Sequence, residues 1–239
     1  MSTTTDVIGK ALLDYLAGEK DAALAVYSDI AEKEILDANY FFRDYAAMPE
    51  LEKSALNLCL GDVADLGAGA GSHSLVLQNN NMDITAFDLS EGACAVMKFR
   101  GIKQVEHKDI FNLGVSQYDT ILMLMNGLGL VGDLEGLRSF LLEIKKNLKP
   151  GAQIIADSSD ISYMFYDEEE GVLLIDLNAE YHGVVTYQME YKKVKGPAFK
   201  WLFIDFMLLS DYAAQYGYNC ELLYEGENYQ YLARLTCKT

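Results

Sequence analysis

The stretch that most constrains this chain is Asp62-Val-Ala-Asp-Leu-Gly-Ala-Gly-Ala-Gly-Ser72, where a short apolar run stops at an acidic residue and passes into alternating glycines. Val63 to Leu66 reads as a buried strand, because parallel sheets covered on both faces give short apolar runs. Gly67, Gly69 and Gly71 permit positive φ angles and a backbone that a ligand can touch. A helix beginning near Ser72 then points free N–H groups at that ligand. Strand, tight turn and helix start together make a nucleotide pocket.

Glycine-rich turns also serve as ordinary strand-to-helix connections, so spacing decides. The dinucleotide fingerprint needs a glycine or alanine three places after its second glycine, and that position is Ser72. No Gly-Lys-Ser/Thr follows, which excludes an NTP-binding P-loop. Asp65-Leu-Gly-Ala-Gly-Ala-Gly71 resembles the first motif of the class I S-adenosylmethionine-dependent methyltransferases, an acidic residue followed by Gly-x-Gly-x-Gly. The resemblance implies a Rossmann-like α/β sheet in which the loop of Gly67, Ala68, Gly69 and Gly71 cradles the methionine part of the cofactor. It also implies that Asp65 is oriented toward the cofactor amino group.

The second strand, Asp83-Ile-Thr-Ala-Phe-Asp88, alternates and finishes in an acid 19 positions after Gly69 (88 − 69). That interval suits a carboxylate accepting bonds from a ribose, with Leu89 beside it; a cap for the helix beginning near Ser90 is the competing role. A third strand, Gln104 to Lys108, leads to Asp109-Ile110. In the resembling family an acid near this strand end meets the exocyclic amine of adenine while the next residue packs on the ring; a solvated loop acid is the alternative. Tyr118 to Met125 is the most apolar run and is expected to be the central fourth strand, ending in Asn126-Gly127 at the ligand edge. Asn126 either bonds substrate or cofactor or simply forms the turn.

Asp133 is expected to cap a helix through Leu148, stopped by Lys149-Pro150-Gly151 before strand five, Ala152 to Asp157. Asp157-Ser-Ser-Asp160 then offers carboxylates for a substrate amine or for helix capping. Residues 161–200 depart from the minimal fold, with aromatic residues, the acidic run Asp167-Glu-Glu-Glu170 and alternation over Val184 to Tyr191. An inserted β-rich substrate region is expected there, with the acidic run as a solvated loop. His182 stays unassigned. A helix from about Leu208 to Tyr216 precedes a hairpin of Asn219 to Tyr224 with Tyr229 to Leu235, and such a closing antiparallel pair separates the resembling family from dehydrogenases.

Residues 6–48 read as an N-terminal helical cap, since Val7, Leu12, Leu13 and Leu16 recur at helical spacing and Ala22, Leu24, Ala25, Val26 and Ile30 continue beyond Gly18. Its last part, Asn39 to Tyr45, sets four aromatics around Arg43. The planar fork of Arg43 suits a carboxylate, of cofactor or substrate; the other reading is a surface arginine flanked by core aromatics. Pro49 is expected to start a helix through Leu58. The organisation is thus a cap over 1–48 and a methyltransferase domain over 49–239.

Nineteen basic against thirty-six acidic residues give a net charge of −17, which disfavours nucleic acid and anionic membrane as partners. Neither a signal-peptide pattern nor a spanning apolar stretch is present in the sequence, so a cytoplasmic location is expected. Cys59, Cys94, Cys220 and Cys237 form no Cys-x-x-Cys pair, and no metal is expected. The Asn-Pro-Pro-Tyr motif of enzymes methylating planar amino nitrogens is absent. The expected function is S-adenosylmethionine-dependent methyl transfer to a small-molecule acceptor, releasing S-adenosylhomocysteine. The alternatives are a non-catalytic S-adenosylmethionine-binding regulator and a nicotinamide-dependent oxidoreductase.

Overall fold

A computed structural model of the protein describes residues 5–167, 172–173 and 181–238. The chain opens with α1 (Val7–Leu16), whose N-terminus is capped by the Asp6 carboxylate, followed by β1 (Ala23–Ser28) and β2 (Glu34–Asp37). Then come α2 (Glu50–Leu58), β3 (Val63–Leu66), α3 (Ser72–Asn79), β4 (Ile84–Asp88), α4 (Glu91–Phe99), β5 (Val105–His107) and β6 (Tyr118–Met123). After α5 (Leu134–Glu143) runs the long β7 (Leu148–Ser159). A two-stranded pair, β8 (Tyr166–Asp167) and β9 (Val172–Leu173), precedes the hairpin β10 (Val184–Tyr191) and β11 (Val194–Leu202). The last elements are α6 (Phe206–Gln215), β12 (Tyr218–Glu225) and β13 (Gln230–Cys237).

The main sheet has the order β12-β13-β7-β6-β3-β4-β5. Its strands β7, β6, β3, β4 and β5 are parallel, and β12 and β13 close it antiparallel against β7. All four residues of β3 are buried, as a central strand between two helical layers requires. The apolar core gathers Leu66, Phe87, Ile121, Met123 and Ile154 with Leu137, Phe140 and Leu209 from the helices on one face. A second cluster packs Leu51, Ala55 and Leu56 of α2 against the opposite face. This is a Rossmann-like sheet with the expected C-terminal hairpin.

The expected helical cap is corrected. Helix holds for α1, but residues 23–28 and 34–37 are strands, and they join the inserted hairpin in a second, antiparallel sheet of order β11-β10-β1-β2. The inserted β-rich region and the N-terminal segment therefore make one lid. Its side chains alternate, so that Val26 and Ser28 share a face with their ladder partners Glu34 and Tyr187. Ile35 falls on the other face and is 61% exposed. Two pins hold the lid. Asp6 accepts from Ser90 Oγ at 2.7 Å and from Gly92 N at 3.0 Å at the start of α4, and Trp201 of β11 packs over Gly129.

Smaller boundaries also move. The helix beginning after Asp133 ends at Glu143 and continues as a 3-10 turn over Ile144–Asn147, while Lys149-Pro150-Gly151 lies inside β7. The acidic run over 168–170 lies outside the described residues. Among the described residues no helix is long and apolar enough to cross a membrane.

Candidate active site at the carboxyl edge of the sheet

The glycine turn follows β3 as expected. Gly67, Gly69 and Gly71 have φ of 71°, 57° and 78°, the left-handed region where a Cβ is costly. At Gly67 space is short as well, since a Cβ there would come within 2.7 Å of Leu130 Cδ1. The N–H groups of Gly67 and Ala68 both donate to Phe87 O, at 2.9 and 3.0 Å, locking the turn to β4. Asp65 does not open toward the crevice. Its buried carboxylate accepts from Ser74 Oγ at 2.6 Å and ties the strand end to the first turn of α3 from beneath, and burial raises its pKa.

Asp88, at the end of β4, accepts from Gly69 N and from Ser90 N, each at 2.8 Å. It thereby ties the glycine turn to Ser90, and Ser90 itself caps α4 by accepting from Ala93 N. Burial pushes the Asp88 pKa up to about 6, and the charges of Asp6 and Asp65 add to the rise. A carboxylate has about four acceptor sites, so two donors leave room for more. Leu89 beside it is 68% exposed. One strand further out, Asp109 is exposed and accepts from Phe111 N at 3.0 Å, while Ile110 packs against the core. Gly69, Asp88, Asp109 and Ile110 therefore lie along the ends of three adjoining strands.

A short 3-10 turn, Ala38–Phe42, runs across the glycine turn. Its Phe41 carbonyl accepts from Ser72 Oγ at 2.7 Å, and the Phe41 ring lies 3.5 Å from where a Gly69 Cβ would stand. Arg43, just after it, stacks over Tyr40 at 3.7 Å and bonds Glu52 at 2.7 Å. Glu52 is buried on α2 and also meets His73 Nε2 at 2.8 Å. Burial alone would raise the Glu52 pKa, but the bond to His73 and the Arg43 charge outweigh it and hold it below the ordinary value. For His73 burial works downward, and the two carboxylates, Glu52 and Asp65, win and raise it. Sequence reasoning missed Glu52 and His73; polar residues among the apolar positions of α2 and α3 were the available signal.

Asn126 stands at the end of β6 in left-handed backbone, φ 55°, directly after Met125 at φ 67°. Two such residues in succession cost on the order of 1–3 kcal/mol each. Asp157 offsets this by accepting from Asn126 N at 3.0 Å and Gly127 N at 2.8 Å. Of the two expected uses of Asp157, a substrate amine or a cap, the bonds are those of a cap: it accepts from the first N–H of the 3-10 turn Gly127–Val131 and is buried, with its pKa pushed up to about 6 by that burial. Asp160 also caps, accepting from Ser162 N at 2.8 Å. The Asn126 side chain accepts from Ser159 Oγ at 2.7 Å. His182 lies against the rings of Tyr181 and Phe165.

Beside Asn126 a cavity of about 250 Å³ opens between the lid and the sheet edge. Its walls are Val26, Ser28 and Glu34 from the lid, Asn126 and Ser159 from the edge, and Tyr163, Tyr187 and Phe203 around them. Among the described residues no group of three or more His, Cys, Asp or Glu is gathered as a metal site.

The sequence matches the family model described as a methyltransferase domain over residues 64–156, from the first glycine motif to strand β7. A crystal structure of an S-adenosylmethionine-dependent methyltransferase from Bacteroides fragilis, in complex with S-adenosyl-L-homocysteine, is 39% identical, with 98% of this chain and 95% of that chain covered and a TM-score of 0.92. An S-adenosylmethionine-dependent methyltransferase from Clostridium acetobutylicum is similar at 16% identity, with 81% and 94% covered and a TM-score of 0.57. The CcbJ methyltransferase from Streptomyces caelestis reaches a TM-score of 0.61 at 10% identity, over 81% and 92%. The last two share the fold. No curated protein sequence matches the chain.

Proposed function

Because this chain belongs to the class I S-adenosylmethionine-dependent methyltransferases, we propose that it methylates a small-molecule acceptor held in the cavity beneath its lid. The observation that carries the reading is that cavity: it lies at the carboxyl edge of the same sheet as the glycine turn, reaches Asn126 and Ser159, and is covered by a separate sheet. A space of about 250 Å³ suits a small molecule rather than a polymer.

The residues present fit the cofactor. The turn after β3 has glycine where a Cβ would strike Leu130, and Asp88 keeps acceptor capacity after its two backbone bonds. When bound, S-adenosylmethionine supplies an electrophilic sulfonium methyl and leaves as S-adenosylhomocysteine. Asp88 would accept from the ribose hydroxyls, Leu89 and Ile110 would flank the base, and Asp109 would accept from its amine. Gly67 to Gly71 and Arg43 would hold the methionine end, with Asp65 acting from beneath the turn. Asn126, fixed by Asp157 and Ser159, would orient the acceptor or the methionine end, and the lid would exclude water while the acceptor is held in line.

Calorimetric titration with S-adenosylmethionine and with S-adenosylhomocysteine tests the cofactor half. Saturable binding of both is expected. Absence of binding to either in a folded, ligand-free sample would remove the reading. The antiparallel hairpin that completes the main sheet favours this function over a nicotinamide-dependent oxidoreductase.

A further inference from the structure

The acceptor cavity has a one-sided charge. Among the described residues that line it there is no lysine, arginine or histidine, whereas Glu32 and Glu34 both stand at it. Both carboxylates are exposed, while Ser159 and Ile161 deeper in are buried, so the acids form the mouth and the sheet edge the floor. Neither acid has a hydrogen bond or ion pair through its side chain to any described residue. Other acids of the lid are engaged away from the cavity: Lys192 bridges Asp14 and Glu19, and Asp29 accepts from Thr186 N. The strand register explains the placement of Glu34, because its ladder partner Val26 faces the cavity. Aromatic walls follow the mouth, with Tyr163 stacked on Tyr229 and Tyr187 near Phe203. Burial raises the Tyr187 pKa, and the charges of Glu34 and Asp29 add to the rise, which marks a negative potential along this wall.

Resting on the methyltransferase reading, we infer that the acceptor is a small amine whose ammonium group is held at the mouth by Glu32 and Glu34 and whose apolar body lies against Tyr163, Tyr187 and Phe203, with its other end toward Asn126. An anionic acceptor would meet two carboxylates and, among the described lining residues, no counter-charge, and a neutral one would leave both acids to water. An ammonium pairs with them through charge-assisted hydrogen bonds. The net charge of −17 acts in the same direction at longer range.

The test compares three probes of equal size, phenethylamine, 2-phenylethanol and phenylacetate, titrated calorimetrically into full-length protein saturated with S-adenosylhomocysteine. Phenethylamine is expected to bind at least about tenfold tighter than the alcohol, a difference of about 1.4 kcal/mol, and phenylacetate weakest. The double variant Glu32→Gln with Glu34→Gln should bring the amine to the level of the alcohol while leaving S-adenosylhomocysteine affinity unchanged. Equal binding of amine and alcohol, preference for the acid, or no binding of any probe to the S-adenosylhomocysteine complex overturns the inference and leaves the methyltransferase reading standing. Failure of S-adenosylhomocysteine itself to bind a folded sample overturns that reading and the inference with it.

Discussion

Asp88 is held in two opposing ways. Its surroundings push its pKa up to about 6, toward the protonated acid, whereas the proposed role of accepting from ribose hydroxyls calls for the carboxylate. Binding a ligand to the ionised form releases a proton, so cofactor affinity should rise as pH climbs through about 6 and then level off. Asp88→Asn should weaken binding by about 2 kcal/mol, the worth of hydrogen bonds to a charged group, and flatten the pH dependence. Calorimetry on either side of that pH reads both effects. The Glu52–His73 pair behaves differently. Glu52 lies below its ordinary 4.5, so its contribution is complete above 4.5 and is lost as pH falls through the lowered value. His73 lies above its ordinary 6.5, so its contribution is complete below 6.5 and is lost as pH rises through the raised value. The pair is therefore strongest between those limits. Glu52→Ala, which strands Arg43 and His73 without their shared carboxylate, should cost about 3–5 kcal/mol in denaturant unfolding.

At the scale of elements, the lid depends on one close approach. A Cβ on Gly129 would come 1.8 Å from Trp201 Nε1, so Gly129→Ala must displace the Trp201 ring that seats β11 there. A loss of about 1–3 kcal/mol is expected, and Trp201→Ala in the same chain should recover part of it, which a double-mutant cycle by denaturant unfolding checks. The lid was also where sequence reasoning misread the chain. Leu24 and Val26 alternate inward, but the alanines around them disguise the period of two as a helical one. Residues 23–28 pair with β2 on one side and with β10 on the other, and a pairing partner as far along the chain as β10 leaves no local mark. The main sheet was legible because its parallel strands β3, β4, β6 and β7 each carry an apolar run and a turn of their own. Asp65 was legible as part of the motif but not in its direction, since nothing in Asp65-Leu-Gly announces that Ser74 will claim the carboxylate. The partners of Asp157 were not legible for a similar reason: they are backbone N–H groups of a neighbouring turn, and backbone carries no residue signature.

For the whole molecule, the surplus of acids sets what approaches. Repulsion of phosphate should leave labelled duplex DNA without saturable binding at ~0.1 M salt, as fluorescence anisotropy would read. The lid is also assembled from both halves of the chain: Tyr27 and Glu190, which meet across β1 and β10, are 163 positions apart. Strands β3 to β7 can form their parallel sheet from neighbouring segments, but the hairpin of β1 and β2 must wait for β10 before the second sheet is complete. Closing so long a loop is slow. During synthesis the first hairpin therefore emerges well before the strand that completes it. Trp201, the sole tryptophan, rides on β11, so its emission follows the closing of the lid while backbone dichroism follows the main sheet. On refolding, dichroism should recover first and tryptophan emission second; identical time courses would mean that lid and sheet form as one unit. That order would have a consequence for the newborn enzyme: its glycine turn would take shape before the cavity proposed for its acceptor does.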